Sequence, residues 1–422
     1  AGMKLDLWSK SEIETLLTGP AIYLQETYFG NLVLTPDILE EQFNISVSSI
    51  KQRWIPEVHQ VVDAEISLHR MLLKGDAWSQ LLEISKQFEF NISMCMSESS
   101  GLEDELLDNF EQMMENVSDL REELNNIYVS LCNGDYNFEF QVTNSINLKN
   151  EMKSLLHKLR KNRHPLSLPI TNLLADIRDS IGMFESLSIV LDEQIVAVIA
   201  DAGYGKTQLS AQLTRPMDNH PAGILLYGCN LHAAQSLDTL ANRIKIYGKP
   251  IESFDALINA VNAAGERAKK RLPIVIDGLN ESEDPRDWKR ELASLETKLE
   301  NSPYVCVVCT LRKDFIDDAI PENINKIEMN GFEVNTAEAI KKYFRFYKIN
   351  PIDVTIPSGL LEHPLTLRIF CESTNPDRRE TVGVEKIPGS LVEVFALYIT
   401  QIAERIVSLS SKDHRYYKDD IY

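Results

Sequence analysis

From Leu106 to Leu131, apolar side chains recur at Leu106, Phe110, Met113, Val117, Leu120, Leu124, Ile127 and Leu131, alternating four and three residues apart. That spacing is a heptad seam and predicts a long helix. Asn133-Gly134-Asp135 marks a turn after it, and Leu148, Met152, Leu155, Leu156 and Leu159 set a second helix. Residues 1–100 read as mostly helical, with apolar spacing near Ile13, Leu16 and Leu17 and again from Val61 to Leu82. Pro165 and Pro169 break the chain before the next unit. From Ile195 the texture changes to short β-branched runs at 195–199, 224–227, 274–276, 304–309 and 327–329, separated by amphipathic helical stretches. This is the pattern of a parallel sheet with helices on both faces. After Asn335 the pattern is helical again, over 337–347, 365–371 and 391–406. The expected organisation is a helical N-terminal region (1–100), a helical linker (101–187), an α/β core (188–334) and a helical lid (335–422). No fixed-period repeat interrupts it.

Charge refines this picture. With 43 Lys and Arg against 63 Asp and Glu, the chain carries a formal −20, in a composition 44% hydrophobic and 25% charged. That mixture fits ordinary globular domains and excludes collagen-like, mucin-like and wholly disordered chains. The acidic excess argues against a broad nucleic-acid or anionic-membrane surface. The longest clean apolar run, residues 195–200, falls far short of the roughly 20 residues that cross a bilayer. The cytoplasm is the expected location, and Ala1-Gly2 ahead of Met3 reads as an expression remnant. The helix at 106–131 is acidic outside its seam, and the one at 148–159 carries Lys149, Lys153, Lys158, Arg160 and Lys161. Either both faces are simply solvated, or the opposite charges select an antiparallel pairing.

Six cysteines are scattered, which suits reduced thiols. Cys306 and Cys309 have CxxC spacing, but in an extended run positions three apart face opposite ways, so core packing is expected over a metal or redox role. His59 and His69 have no ligand spacing around them and read as ordinary histidines.

The chemistry concentrates after the first strand. Ala200-Asp201-Ala202-Gly203-Tyr204-Gly205-Lys206-Thr207 leads into Gln208 and an expected helix. Strand, glycine-rich loop and helix start form the setting of a phosphate-binding loop. Glycines let successive N–H groups face a polyphosphate, and the helix N-terminus adds partial positive charge. Lys206 would span the β- and γ-phosphates, and the Thr207 hydroxyl would reach Mg²⁺. Ala200 stands where the pattern usually has its first glycine. The competing reading is a glycine-rich turn that binds nothing.

Such a site also needs an acid at the tip of another strand. Ile274-Val275-Ile276-Asp277-Gly278-Leu279-Asn280-Glu281 supplies Asp277 for Mg²⁺ and Glu281 to orient or deprotonate an attacking water. The next strand ends in Thr310-Leu311-Arg312, where Arg312 either reaches the γ-phosphate or forms a surface ion pair.

Together with His363-Pro364-Leu365-Thr366-Leu367, these segments resemble the NACHT branch of the STAND NTPases, and within it bacterial antiviral defence ATPases. Arg53-Trp54-Ile55-Pro56-Glu57-Val58-His59 resembles a stretch ahead of the core in those proteins. The resemblance is specific over residues 190–370. It implies a P-loop NTPase that binds ATP or ADP with Mg²⁺ through Gly203, Tyr204, Gly205, Lys206, Thr207, Gln208 and Asp277, with Pro364 packing on the base. It further implies slow hydrolysis, homo-oligomerisation on activation, a winged-helix region after the helical lid, and a C-terminal sensor beyond Tyr422 that recognises the trigger. Asn280 replaces the second acid of the family's pattern and leaves Glu281 as the hydrolytic candidate. Two other readings compete: a non-hydrolysing nucleotide-binding scaffold for protein partners, and a small-molecule kinase.

Overall fold

The computed structural model describes residues 32–100, 102–136, 142–217, 220–352 and 357–409, so the helical spacing near Ile13, Leu16 and Leu17 lies outside the described residues. Thr35 accepts a hydrogen bond from the Ile38 N–H at 3.2 Å and so caps α1 (Pro36–Ile50), with Pro36 at its first position. The apolar stretch from Val61 to Leu82 is not one helix. It divides into α2 (Asp63–Met71) and the start of α3 (Ser79–Ser97), because Leu73 takes a left-handed φ of 50° before Lys74-Gly75.

The heptad seam forms α4 (Asp104–Asn133), ended by Gly134 at φ 67°, a left-handed cap that glycine adopts without steric cost. Next come α5 (Val142–Lys161) and α6 (Ser167–Asp192). The chain breaks at Arg163–Leu166, and Pro169 lies inside the first turn of α6, where its missing N–H costs nothing. Helices α3 to α6 form a four-helix bundle around Phe88, Phe110, Val117, Leu124, Met152, Leu173 and Phe184. Helices α4 and α5 are neighbours, yet Lys153, Lys158, Arg160 and Lys161 are exposed, and Arg160 bonds Thr171 of α6. Apolar packing joins the bundle.

The core alternates β1 (Ile195–Ile199), α7 (Lys206–Thr214), β2 (Ile224–Tyr227), α8 (Phe254–Ala268), β3 (Leu272–Asp277), α9 (Asp287–Leu299), β4 (Val305–Leu311) and β5 (Asn325–Glu328). The five strands form one parallel sheet in the order β2-β3-β4-β1-β5. One face packs Ile195, Ala197, Ile274, Ile276, Val307 and Cys309 against α1, α8 and α9. The other packs Val196, Val198, Val275, Cys306 and Val308 against α2 and α7. Cys306 and Cys309 thus lie on opposite faces, both buried, and burial pushes the Cys306 thiol up to about 11. Among the described residues three longer helices follow the core, α10 (Thr336–Tyr347), α11 (Pro364–Thr374) and α12 (Leu391–Leu409), with one short turn of helix at Ser358–Leu361 before α11. Among the described residues no helix is long and apolar enough to cross a membrane.

The strand order fixes where a ligand can sit. The chain leaves β1 toward β2 on one side and leaves β4 toward β5 on the other. Beyond their carboxyl ends these diverging connections open a crevice, the usual binding position in parallel sheets. At the opposite end of the sheet, buried Arg271 donates to the carbonyls of Met71, Val190, Leu191 and Pro303 at 2.9 to 3.3 Å, joining α2, α6 and the foot of β3.

Candidate functional site

The crevice between β1 and β4 holds the glycine-rich loop. Gly203 and Gly205 have φ of 84° and 93°, angles that a side chain would strain. They turn the chain from β1 directly into α7, whose first turn has no side-chain cap. Its amide groups therefore face the crevice with their partial positive charge uncompensated.

The Lys206 side chain folds back over the loop, and its Nζ donates to the carbonyls of Ala200 at 2.6 Å and Asp201 at 2.7 Å. Burial pushes its ammonium below the ordinary lysine value; Asp277 opposes this, and Arg312 adds to it. Thr207 donates to Asp277 Oδ2 at 2.7 Å, across from the tip of β1 to the tip of β3. Asp277 Oδ1 accepts from Ser210 at 2.8 Å and from Thr310 at 2.7 Å, and Thr310 Oγ1 accepts from the Gly278 N–H at 2.9 Å. Ser210 and Thr310 are fully buried. Three hydroxyls thus hold one carboxylate, with Oδ2 shared with Thr207 at the edge of the crevice. Asn280 accepts from the Arg312 N–H at 3.0 Å and ties the β3 turn to the end of β4.

These groups border a cavity of about 380 Å³. Its wall includes Arg53, Lys206, Arg312 and Arg368, with Glu281 the one carboxylate among the lining residues. Arg368 is paired with Glu372 at 2.9 Å, while Arg312 forms no ion pair among the described residues. In a chain of net charge −20, this concentration of cations at one cavity favours an anionic ligand. The apolar end is lined by Val58, Val62, Leu209, Met329, Phe332, Tyr343, Pro364 and Leu365.

All the residues expected from the sequence at this site converge here. Gly203, Tyr204, Gly205, Lys206, Thr207, Gln208, Glu281, Arg312 and Pro364 line the cavity, and Asp277 sits behind Thr207. Pro364 stands at the first position of α11, which covers the loop: the Leu365 N–H donates to the Gly203 carbonyl at 3.2 Å, and the Tyr204 ring meets His363 edge-on at 4.6 Å. A Cβ on Gly203 would come within 2.7 Å of the His363 ring. Burial lowers the His363 pKa from its ordinary value.

Residues 53–62 form the third wall; the sequence singled out 53–59 by resemblance and did not place them at the site. Gln208 holds it with two reciprocal bonds, accepting from the Ile55 N–H at 2.9 Å and donating to the Ile55 carbonyl at 3.1 Å. His59, read as ordinary, borders the cavity, and its Nε2 lies 2.8 Å from buried Glu65. His69 stands 3.7 Å from the other oxygen of Glu65. No periodicity links these positions. Ser210 could have been found, one helical turn after Lys206 and so facing the strand tips.

The residues fit a polyphosphate with one divalent ion. Free loop amides, Lys206 and Arg312 could contact such an anion, and Thr207 with Asp277 could offer hard oxygen donors to a divalent cation. Among the described residues no cluster of three or more His, Cys, Asp or Glu forms a self-sufficient metal cage. An ion held by one hydroxyl, one carboxylate and phosphate oxygens is consistent with that. No protein-family model matches the chain, and no curated protein matches it.

Proposed function

We propose that the chain is an ATP-dependent molecular switch of the STAND/NACHT type, of the kind that serves bacterial antiviral defence. It binds ATP or ADP with Mg²⁺ and hydrolyses ATP slowly. The observation that carries this reading is the meeting of Lys206, Thr207 and Asp277 at one cation-rich cavity, where an uncapped helix start faces the strand acid. That geometry supports reading the loop as a P-loop: the loop amides and Lys206 bind the phosphates, and Arg312 meets the terminal one. Thr207 and Asp277 hold the metal, which supplies charge neutralisation on the phosphates when bound.

Glu281, exposed at the cavity, takes the proton of the attacking water as the bond to the γ-phosphate forms and the bond to the leaving ADP breaks. Its isolation as the one acid there suits slow turnover. Pro364 and the apolar end receive the base. Nucleotide that touches both the loop and α11 favours the closed arrangement, and exchange favours an open, self-associating one.

The test is Lys206→Ala. Mass spectrometry of denatured protein and calorimetry with ATP are expected to find nucleotide lost. A folded variant with unchanged affinity would remove the basis of the proposal. Glu281→Gln is expected to keep binding, slow hydrolysis and prolong assembly; unaltered turnover and assembly would favour the scaffold reading.

A further inference from the structure

Beside the apolar end of the cavity stands a polar pair, His59 and Glu65, that the phosphate chemistry does not use. His59 is half-buried on the cavity wall, between Val58, which packs with the lid residues Phe332 and Tyr343, and Val62, which packs with Leu209 and Met329 of the core. Its Nε2 is fixed by Glu65, whose side chain is only 2% exposed. Its carbonyl accepts from Lys342 of α10 at 2.9 Å, and the neighbouring Val61 carbonyl accepts from Asn335 at 3.2 Å. The ring is thus held on both sides, by a buried carboxylate through the side chain and by the lid through the backbone.

A carboxylate only accepts, so Nε2 carries the hydrogen and, in the neutral ring, Nδ1 remains a bare acceptor. Nδ1 has no hydrogen bond among the described residues. An oriented acceptor on a cavity wall discriminates, because a ligand without a matching donor leaves it unpaired.

We infer that His59, held by Glu65, is a specificity-determining residue that accepts a hydrogen bond from a donor on the non-phosphate end of the nucleotide. That donor is a ribose hydroxyl or the exocyclic amino group of the base. Glu65 acts through His59 as its positioning residue. The inference rests on the nucleotide reading above and deepens it.

The experiment is calorimetry on the full chain with Mg²⁺ and four probes: ADP, its 2′-deoxy and 3′-deoxy analogues, and inosine diphosphate, which lacks the amino donor. One analogue is expected to bind the unaltered chain about tenfold more weakly than ADP, the scale of one well-placed neutral hydrogen bond. His59→Phe is expected to weaken ADP by about the same factor and to leave the affinity for that one analogue unchanged. Which analogue responds identifies the donor. Equal affinity of His59→Phe and the unaltered chain for all four, or an equal loss on all four, overturns the assignment. His59→Gln, which keeps an acceptor, is the second variant and is expected to retain the preference; a folded Gln variant that binds all four alike overturns it as well. Lys206→Ala is run beside them. Unchanged nucleotide binding there sinks the nucleotide reading itself, whereas its loss with no effect at His59 sinks only this inference.

Discussion

Replacing Thr310 with Val tests how Asp277 is held. The two side chains have nearly the same shape, so the change removes one hydroxyl from a fully buried position and leaves packing in place. That hydroxyl donates to Asp277 at 2.7 Å and accepts from the Gly278 N–H at 2.9 Å. A hydrogen bond to an ionised group contributes about 1.5–3 kcal/mol, and a buried N–H left unpaired costs about 1–3 kcal/mol. Ser210 and Thr207 still donate to Asp277, so the carboxylate is not abandoned. Because both losses fall on one relaxing turn they add incompletely, and about 3 kcal/mol is expected. Native-state hydrogen exchange of the β3 and β4 amides is the suitable assay, since it isolates the sheet from the helical bundle in a chain that need not unfold in one step. Thr310→Ser restores the hydroxyl and is expected to lose only about 1 kcal/mol, for one buried methyl. With Asp277 less firmly oriented, Mg²⁺ is expected to strengthen nucleotide binding less in the Val variant than in the Ser variant. A Val variant within about 0.5 kcal/mol of the unaltered chain would refute the view that this hydroxyl organises the strand tips.

Two further outcomes follow from groups away from the site. Arg271→Met is expected to cost about 3 kcal/mol, since the carbonyls of Met71, Val190, Leu191 and Pro303 lose one shared cationic donor; exchange protection at the foot of β3 that is undiminished would count against it. Burial raises the pKa of Asp176, and a bond from Asn91 at 2.7 Å only partly offsets this. The folded state therefore holds a proton that the unfolded state releases, and stability falls as the pH rises from the ordinary carboxylate value through the raised one. Asp176→Asn is expected to stabilise the bundle at neutral pH and to bring no gain in acid, read from thermal melts at both; a gain that grows in acid would reverse the sign.

The sequence was most legible where local pattern and final contacts coincide. The β-branched runs located all five strands, two with the same ends and three with ends shifted by one or two residues, and the strand-to-helix glycine loop located the cavity. Period-two alternation placed Cys306 and Cys309 on opposite faces before any packing was known. What stayed hidden depends on contacts between distant segments. Pro169 looked like a break, yet a first-turn proline is compatible with a helix, and α6 runs for 26 residues from Ser167. Val61 to Leu82 looked continuous because apolar spacing does not register a single left-handed residue such as Leu73. Ile55 and Gln208 are 153 positions apart, and the Glu65–His59 pair spans a helix boundary that no periodicity crosses.

The same distant contacts determine how the cavity can open. The lid touches the glycine loop through the Leu365 N–H to the Gly203 carbonyl, the His363 ring against Tyr204 and a bond between His363 and the Ala202 backbone, while residues 55–62 are tied to both sides: to the loop helix by Gln208 and to the lid by Lys342 and Asn335. Moving the lid away with segment 55–62 kept on the core breaks at least the bonds of Leu365, Lys342 and Asn335, each contributing about 1 kcal/mol net. An empty chain would then populate the open form at about 1% or less. A ligand held only by Lys206, Thr207 and Arg312 binds both forms equally and shifts nothing, however tightly it binds. A nucleotide reaching Pro364 touches the lid as well and adds that contact to the closed form. On the proposed reading, the phosphate end therefore distinguishes ATP from ADP through Arg312 and Glu281, and the opposite end converts occupancy into closure. Substitutions at the two ends should separate the two properties: changes at Arg312 alter the preference between nucleotides, and changes at Pro364 alter the coupling of binding to lid position.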